Sequence, residues 1–312
     1  MPGAAVRYVV TAGAGFLGSA LCTALADAGH DVVRADRDDR LRRLGDDGRH
    51  PRITAVVHEL GVGSDLAALL DGCDVLLHLA HRGLPSSPMS QIAQEAAANL
   101  GGGLELVEAA RAAGVRRVVY ASSGGTVYGR VAHVPVDETA ECAPISAYGV
   151  GKSAMERYLQ FFSADFGLST VSLRVGNAVG EGQFRGAGVG APAKFLAAAA
   201  SGEAIHIWGD GTTVRDYVYV DDIVSAFVTA STADLPSGPY NVGSGVGHSL
   251  NEIVGLVREV SGVDIEVRHE QARVFDVPAI VLDVARFSAL TGWASQVDLR
   301  SGMARMWQHL TR

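Results

Sequence analysis

The sequence predicts an α/β protein, with a doubly wound parallel sheet and a smaller, discontinuous C-terminal domain. Three observations lead there. A β-rich run, residues 8–12, passes directly into Gly13-Ala14-Gly15-Phe16-Leu17-Gly18 and then a helical pattern. Short apolar runs and helical patterns alternate from there to Gly176. One run, Asp74-Val75-Leu76-Leu77-His78-Leu79-Ala80, is almost continuously apolar, as a parallel strand covered on both faces must be.

A chain of 312 residues, 48% apolar and 19% charged, can bury a sizeable core. A net charge of −8 without a basic run argues against a nucleic-acid partner. Three cysteines (Cys22, Cys73, Cys142) with no disulfide or metal spacing fit a reducing cytosol, so the expected location is cytoplasmic. The ten histidines form no zinc-type cluster, and no metal is expected; His78 and His81 read as marking a strand end. Arg7 and the apolar run after it superficially resemble a signal peptide, but Gly13, Gly15 and Gly18 interrupt it. No stretch is long and apolar enough to suggest a membrane span.

The first helical pattern runs through Leu21 and Leu25 to Ala28 and stops at Gly29; residues 30–36 form a second strand ending in Asp36. Strand, G-x-G-x-x-G, helix, strand and acid together are the dinucleotide fingerprint in its structural context. Its glycines permit a tight turn and let pyrophosphate reach the helix N-terminus. Asp36, 18 residues beyond Gly18, is placed to take both adenosine ribose hydroxyls and repel a 2′-phosphate. That favours NAD over NADP, with Arg37 as the counter-signal. Residues 53–60 read as a third strand, 65–70 as a short helix and 93–113 as a long alanine-rich helix ended by Gly114. Residues 115–121 form the next strand and run into Ser122-Ser123-Gly124-Gly125-Thr126-Val127-Tyr128-Gly129, at the carboxyl-end crevice where ligands bind. After a strand at 169–175 the texture changes. Five glycines between 180 and 190 suggest a loop that closes over something. Helices at 192–201 and 250–262 and a strand at 240–243 complete the pattern.

Pro144 and Ser146 open a helix that carries Tyr148 and Lys152. Four residues apart, their side chains share one face. An adjacent ammonium is expected to lower the phenol from about 10 toward neutrality, making a general base. Of 26 basic residues only Lys152 and Lys194 are lysines, so a compact ammonium here is a selective choice. Gly149 and Gly151 cost this helix about 1 kcal/mol each, which implies close approach by a neighbouring helix or a nicotinamide ring.

These features together resemble the extended short-chain dehydrogenase/reductases, in their nucleotide-sugar epimerase/dehydratase branch. The resemblance spans nearly the whole chain: the glycine fingerprint, Asp36, the 74–80 strand, Asn99, Thr126-Val127-Tyr128-Gly129, Tyr148/Lys152, 174–177, 209–222 and 240–243. It implies NAD in an N-terminal Rossmann domain (1–176 plus 216–243) and a nucleoside-diphosphate sugar against a second domain (177–215 plus 244–312). Gly13, Gly15, Phe16, Leu17 and Gly18 would hold pyrophosphate; Asp36 and Arg37 would face the ribose, and Glu59 with Leu60 the adenine. Leu79, Ala80, His81, Ser122 and Val175 would line the cofactor, with Asn99 nearby. Asn177, Arg215, Arg273 and Asp276 match substrate contacts, the first two at the diphosphate.

Two departures stand out. Ala12 replaces the family's first loop glycine. Gly124 stands where the family carries the hydroxyl that assists its tyrosine, leaving that role to Ser123 or Thr126, with Ser123 preferred. The implied activity is epimerisation by transient hydride transfer to NAD, with Tyr148 as base. A 4,6-dehydratase would show an Asp-Glu pair after the hydroxyl position, and a decarboxylating member a glutamate at Thr126; neither is present. A nucleotide-sugar 4-ketoreductase is the rival reading, and a non-catalytic dinucleotide sensor the third. A homodimer through the helices at 93–113 and 146–162 is expected.

Overall fold

The computed structural model describes residues 5–45, 49–61, 65–84, 87, 89–185, 190–271 and 277–312. Six strands come first in chain order: β1 (Arg7–Thr11), β2 (Asp31–Asp36), β3 (Ile53–Val57), β4 (Val75–His78), β5 (Arg117–Ser123) and β6 (Ser169–Val175). Strands β7 (Asn177–Val179), β8 (Ile205–Trp208) and β9 (Val214–Tyr219) then leave the central sheet. Strand β10 (Gly238–Val242) rejoins it, and β11 (Gly247–Ser249), β12 (Val267–Glu270) and β13 (Ala279–Ile280) complete the chain's strands among the described residues.

The central sheet has the order β10-β6-β5-β4-β1-β2-β3 and every pairing is parallel. The chain winds outward from β1 to β3, then returns to β4 on the other side of β1. The connections at the carboxyl ends of β1 and β4 therefore diverge and leave a crevice between them. Strand β4 is buried along its whole length, as its apolar run requires. On one face, Leu21 and Leu25 of helix Phe16–Asp27 share a core with Ile223 and Phe227 of helix Val220–Thr232. On the other, Leu106 and Val107 of helix Gly102–Ala112 pack with Met155, Leu159 and Phe162 of helix Ala147–Phe166. No helix among the described residues is long and apolar enough to cross a membrane.

Three elements differ from the sequence expectation. The third strand ends at Val57 instead of residue 60: His58 N–H still donates to the Asp36 carbonyl, and 58–60 then turn into the crevice. The long helix at 93–113 is interrupted by a π segment, Ala97–Gly101, between α-helices Ile92–Ala96 and Gly102–Ala112. Gly102 lies so close to the Gly61 backbone that a Cβ would collide with it, so the helix approaches at its weakest helix formers. Strand β9 stays in a second, smaller sheet with β7, β11 and β13, so the chain returns to the central layer only at Val220, later than the expected 216.

The second sheet is tied together by a buried carboxylate. Asp216 accepts from Ser244 N (2.8 Å), Ser244 Oγ (2.6 Å), Gly245 N (3.1 Å) and Leu282 N (3.2 Å). Burial pushes its pKa up and these donors oppose that rise. Gly180 and Gly182 lie against the Phe16 ring, which brings the glycine-rich loop to the first helix; residues 186–189 lie outside the described set.

Candidate active site

The crevice between β1 and β4 begins at the glycine turn. Gly15 caps helix Phe16–Asp27 with no side-chain hydrogen bond and no acid in the first turn, so its leading amides are left for a ligand. A Cβ on Gly18 would strike the Ala12 carbonyl, and one on Gly13 would sit 2.9 Å from the Val10 carbonyl. Ala12 takes φ 52°, a left-handed conformation that costs a non-glycine residue about 1 kcal/mol. At the end of β2, Asp36 accepts from Ala14 N (2.9 Å) and Arg37 N (2.8 Å), fixing the carboxylate beside the turn.

Most of the sequence-predicted residues line one continuous cleft: Gly15, Phe16, Leu17, Gly18, Asp36, Arg37, Glu59, Leu60, Leu79, Ala80, His81, Ser122, Ser123, Tyr148, Lys152 and Val175. Others are not on its wall. Gly13 backs onto Arg34, and Asn99 stands behind the 81–82 loop, with Nδ2 donating to the Arg82 carbonyl (2.8 Å). Thr126 Oγ1 is buried without a partner among the described residues. Asn177 begins β7 facing the 124–127 turn, and Arg215 donates from Nη1 to the Val214 and Val277 carbonyls (both 2.8 Å). Arg273 and Asp276 lie outside the described residues.

Three titratable cleft residues escaped the sequence reading. Arg82 ion-pairs with Glu59 across the cleft wall, so that carboxylate meets a guanidinium from the loop after β4. His58 is buried, with neither ring nitrogen partnered among the described residues. Arg40 reaches back over the turn, its Nη1 3.5 Å from where a Cβ on Gly15 would sit. All three depend on how loops fold back, which spacing along the chain does not record.

Ser146 caps helix Ala147–Phe166 by accepting from Gly149 N (3.1 Å), which starts the helix in register for Tyr148 and Lys152 to face the cleft. The expected lowering of the phenol is not what the structure shows. Burial pushes Tyr148 up to about 12, and burial pushes Lys152 down to about 7 against the opposing charge of Glu156. The ammonium donates to the Ala121 carbonyl (2.7 Å) and lies 4.8 Å from the Tyr120 ring centroid, but 5.6 Å from that of Tyr148. Desolvation disfavours both charged forms more than this separated pair favours them. Gly149 does meet close approach from a neighbouring helix: the Thr126 carbonyl of the short helix Gly124–Val127 lies 2.6 Å from a would-be Cβ. Gly151 has only His81 Cε1, at 3.7 Å.

Behind this pair lies a buried polar chain. Ser122 Oγ donates to Glu156, which also accepts from Arg174 Nη2 (2.7 Å) and Nε (3.1 Å). Arg174 Nη1 donates to Tyr128 Oη (3.0 Å), and that hydroxyl donates to Asn241 Oδ1 (2.7 Å). Burial alone would lower the Arg174 pKa, yet Glu156 and Tyr128 raise it above its ordinary value.

One pH response follows from His78. Thr11 Oγ1 accepts from Leu79 N (3.1 Å) and Ala80 N (3.0 Å), so its own proton goes to His78 Nδ1 (3.0 Å), and that nitrogen must stay unprotonated. Burial, then the Lys152 charge, pushes this imidazole from 6.5 to about 3. A depressed folded pKa means that stability is complete above 6.5 and is lost as pH falls toward 3. Urea titrations at successive pH values should show a loss approaching about 1.4 kcal/mol per pH unit below 6 from this group, with a shallower slope in His78→Asn.

The sequence pattern of the NAD dependent epimerase/dehydratase family matches residues 8–243, the whole stretch that builds this cleft. The chain belongs to that family. Over 307 residues it is 34% identical to a UDP-glucose 4-epimerase of Mycolicibacterium smegmatis, covering 96% of this chain and 97% of that one. A dTDP-4-dehydro-6-deoxyglucose reductase of Escherichia coli is 26% identical, with 96% and 95% covered. The crystal structure of a Thermotoga maritima UDP-glucose 4-epimerase with UDP-glucose superposes with a TM-score of 0.91 at 30% identity, covering 98% and 99%.

The residues present fit the family's dinucleotide. The glycines pack the turn tightly against its own backbone and leave the amides of the helix N-terminus uncapped, and Asp36 is fixed beside the turn, where ribose hydroxyls are expected. Where the family pattern has a hydroxyl, Gly124 has no side chain and Leu282 fills the space beside it. A Cβ there would meet Leu282 Cδ1 at 2.6 Å and the Arg174 carbonyl at 3.0 Å. Ser123, one residue earlier, lines the same cleft as Tyr148, as does Ser122, whose hydroxyl is engaged by Glu156.

Proposed function

We propose that the protein interconverts epimers of a nucleoside-diphosphate sugar, with NAD held in the cleft and Tyr148 as the proton carrier. The observation that carries this is convergence: Tyr148, Lys152 and Ser123 line the same cleft as the glycine turn and Asp36. Bound NAD supplies an acceptor, and then a donor, for a hydride. The chain's own groups do the rest. Gly15, Phe16, Leu17 and Gly18 present amides to the diphosphate, and Asp36 takes the ribose hydroxyls and favours NAD over NADP. Tyr148 removes the proton from a sugar hydroxyl and later returns it, while the Lys152 ammonium stabilises the phenolate. Ser123 donates to the sugar oxygen as it becomes a carbonyl. Arg215 and Asn177, in the second sheet's layer, hold the sugar nucleotide's diphosphate, so that the sugar stays tethered between the two half-reactions. This makes 177–219 and 244–312 the sugar-nucleotide side of the molecule.

The test is a purified sample mixed with UDP-sugars, read by product NMR and absorbance at 340 nm. An epimer formed without net consumption of dinucleotide supports the proposal. Stoichiometric use of added NADH or NADPH supports a 4-ketoreductase instead, a reading that the 26% identical reductase relative keeps in view. Ser123→Ala is expected to lower kcat about 100-fold. Thr126→Val should leave kcat intact and raise stability by about 1 kcal/mol, because it deletes a buried hydroxyl without a partner.

A second copy of the chain is the proposed partner for the outer face of helix Ala147–Phe166. Val150 (52% exposed), Tyr158 (43%), Phe161 (48%) and Phe166 (50%) leave large apolar surface in water there. Sedimentation should give a dimer, and the Phe161→Asp/Phe166→Asp double variant a monomer.

A further inference from the structure

We infer that His81 is a positioning residue for Tyr148, and that Asn99, set by the π segment, holds His81 in place. The inference rests on Tyr148 being the proton carrier. The His81 ring meets the Tyr148 ring edge to face, with centroids 4.5 Å apart and planes at 66°. Such a pair has a preferred geometry, so a fixed imidazole fixes the phenol plane.

The loop bearing His81 is pinned at both ends. At its start, the Leu79 and Ala80 amides donate to Thr11 Oγ1 at the end of β1. At its far end, Asn99 Oδ1 accepts from Arg82 N (2.6 Å), and Asn99 Nδ2 donates to the Arg82 carbonyl (2.8 Å) and lies 3.3 Å from His81 Nε2. Asn99 sits inside the π segment Ala97–Gly101. A π turn adds a residue to the helix and re-aims the side chains around it, a distortion most often kept at functional sites. An uninterrupted α-helix would rotate Asn99 away from the loop.

The imidazole acts through shape and not charge. Burial, then the nearby Lys152 charge, pushes His81 down to about 2, so it is neutral at any working pH. The titratable groups placed against the phenol are then Lys152 on its own helix, Tyr120 on β5 and this neutral histidine. A phenylalanine at 81 can supply the same aromatic edge, whereas alanine cannot.

The experiment uses the full chain with tyrosines labelled at ¹³Cζ. The Tyr148 signal is identified by its loss in Tyr148→Phe. In His81→Ala, water reaches the phenol, and its titration midpoint should fall by about one unit from the parent. Its kcat should fall about tenfold or more with KM for the sugar nucleotide unchanged, as expected for a misplaced base. His81→Phe should restore the midpoint and most of kcat, and Asn99→Ala should reproduce a smaller version of the alanine defect. A His81→Ala protein with parental midpoint and kcat overturns the inference. So does a His81→Phe protein as impaired as His81→Ala, or a His81→Ala defect that disappears when excess NAD is added. If Tyr148→Phe turns over like the parent, the proposed function of Tyr148 fails, while the ¹³C titration still decides whether His81 seats the ring.

Discussion

Tyr148→Phe is expected to lower turnover about 10³-fold while leaving the fold and the retained dinucleotide intact. The variant removes one oxygen from the cleft wall and keeps the ring that His81 meets at 4.5 Å, so packing has no reason to change. What disappears is the proposed proton carrier. Because burial holds the phenol near 12 and Lys152 near 7, the parent's kcat should climb with pH up to about 7, the direction expected when a base must lose its proton, and level off as the ammonium loses its charge. That climb should vanish from whatever residual rate Tyr148→Phe retains. Product NMR over several pH values, with bound dinucleotide measured on the same samples, checks both statements. A variant as active as the parent would leave the non-catalytic dinucleotide sensor as the better description.

Arg174→Met should be the most destabilising single change near the site, by about 3–5 kcal/mol. The side chains of Arg174 and Glu156 are only 5% and 3% exposed, and their closest contact is 2.7 Å. Taking away the guanidinium strands a carboxylate in the dry layer behind the cleft and removes a donor from the Tyr128 hydroxyl, which keeps only its bond to Asn241. Against a total stability of about 5–15 kcal/mol, that loss is a large share. Arg174→Met combined with Glu156→Met removes both charges and should recover much of it, since a buried pair often breaks about even with an apolar replacement. Urea unfolding of the two single variants and the double closes the cycle. Additive losses would show that the two groups do not share one interaction.

Much of the architecture was legible because it is written in local periodicity. The apolar run at 75–78 becomes a strand buried on both faces, and the glycine turn leads into a helix with an uncapped N-terminus. Ser146 caps the helix that carries Tyr148 and Lys152. Each follows from residues within one or two turns of each other, where spacing alone fixes direction. The long helix was misjudged at Asn99 for the same reason. Helical periodicity does not reveal that Gly102 must pass against the Gly61 backbone, or that the distortion nearby serves a loop far off in the chain.

By itself, then, the sequence determined the sheet, the glycine cradle with Asp36, and the face shared by Tyr148 and Lys152. Only the tertiary structure decided their electrostatics and neighbours: Lys152 bonded to Ala121, Leu282 filling the space beside Gly124, and Arg82 engaged with Glu59. The physical reason is range. Backbone direction is set over a few residues, whereas desolvation and close packing are set by whichever distant atoms arrive, and no spacing rule along the chain counts those.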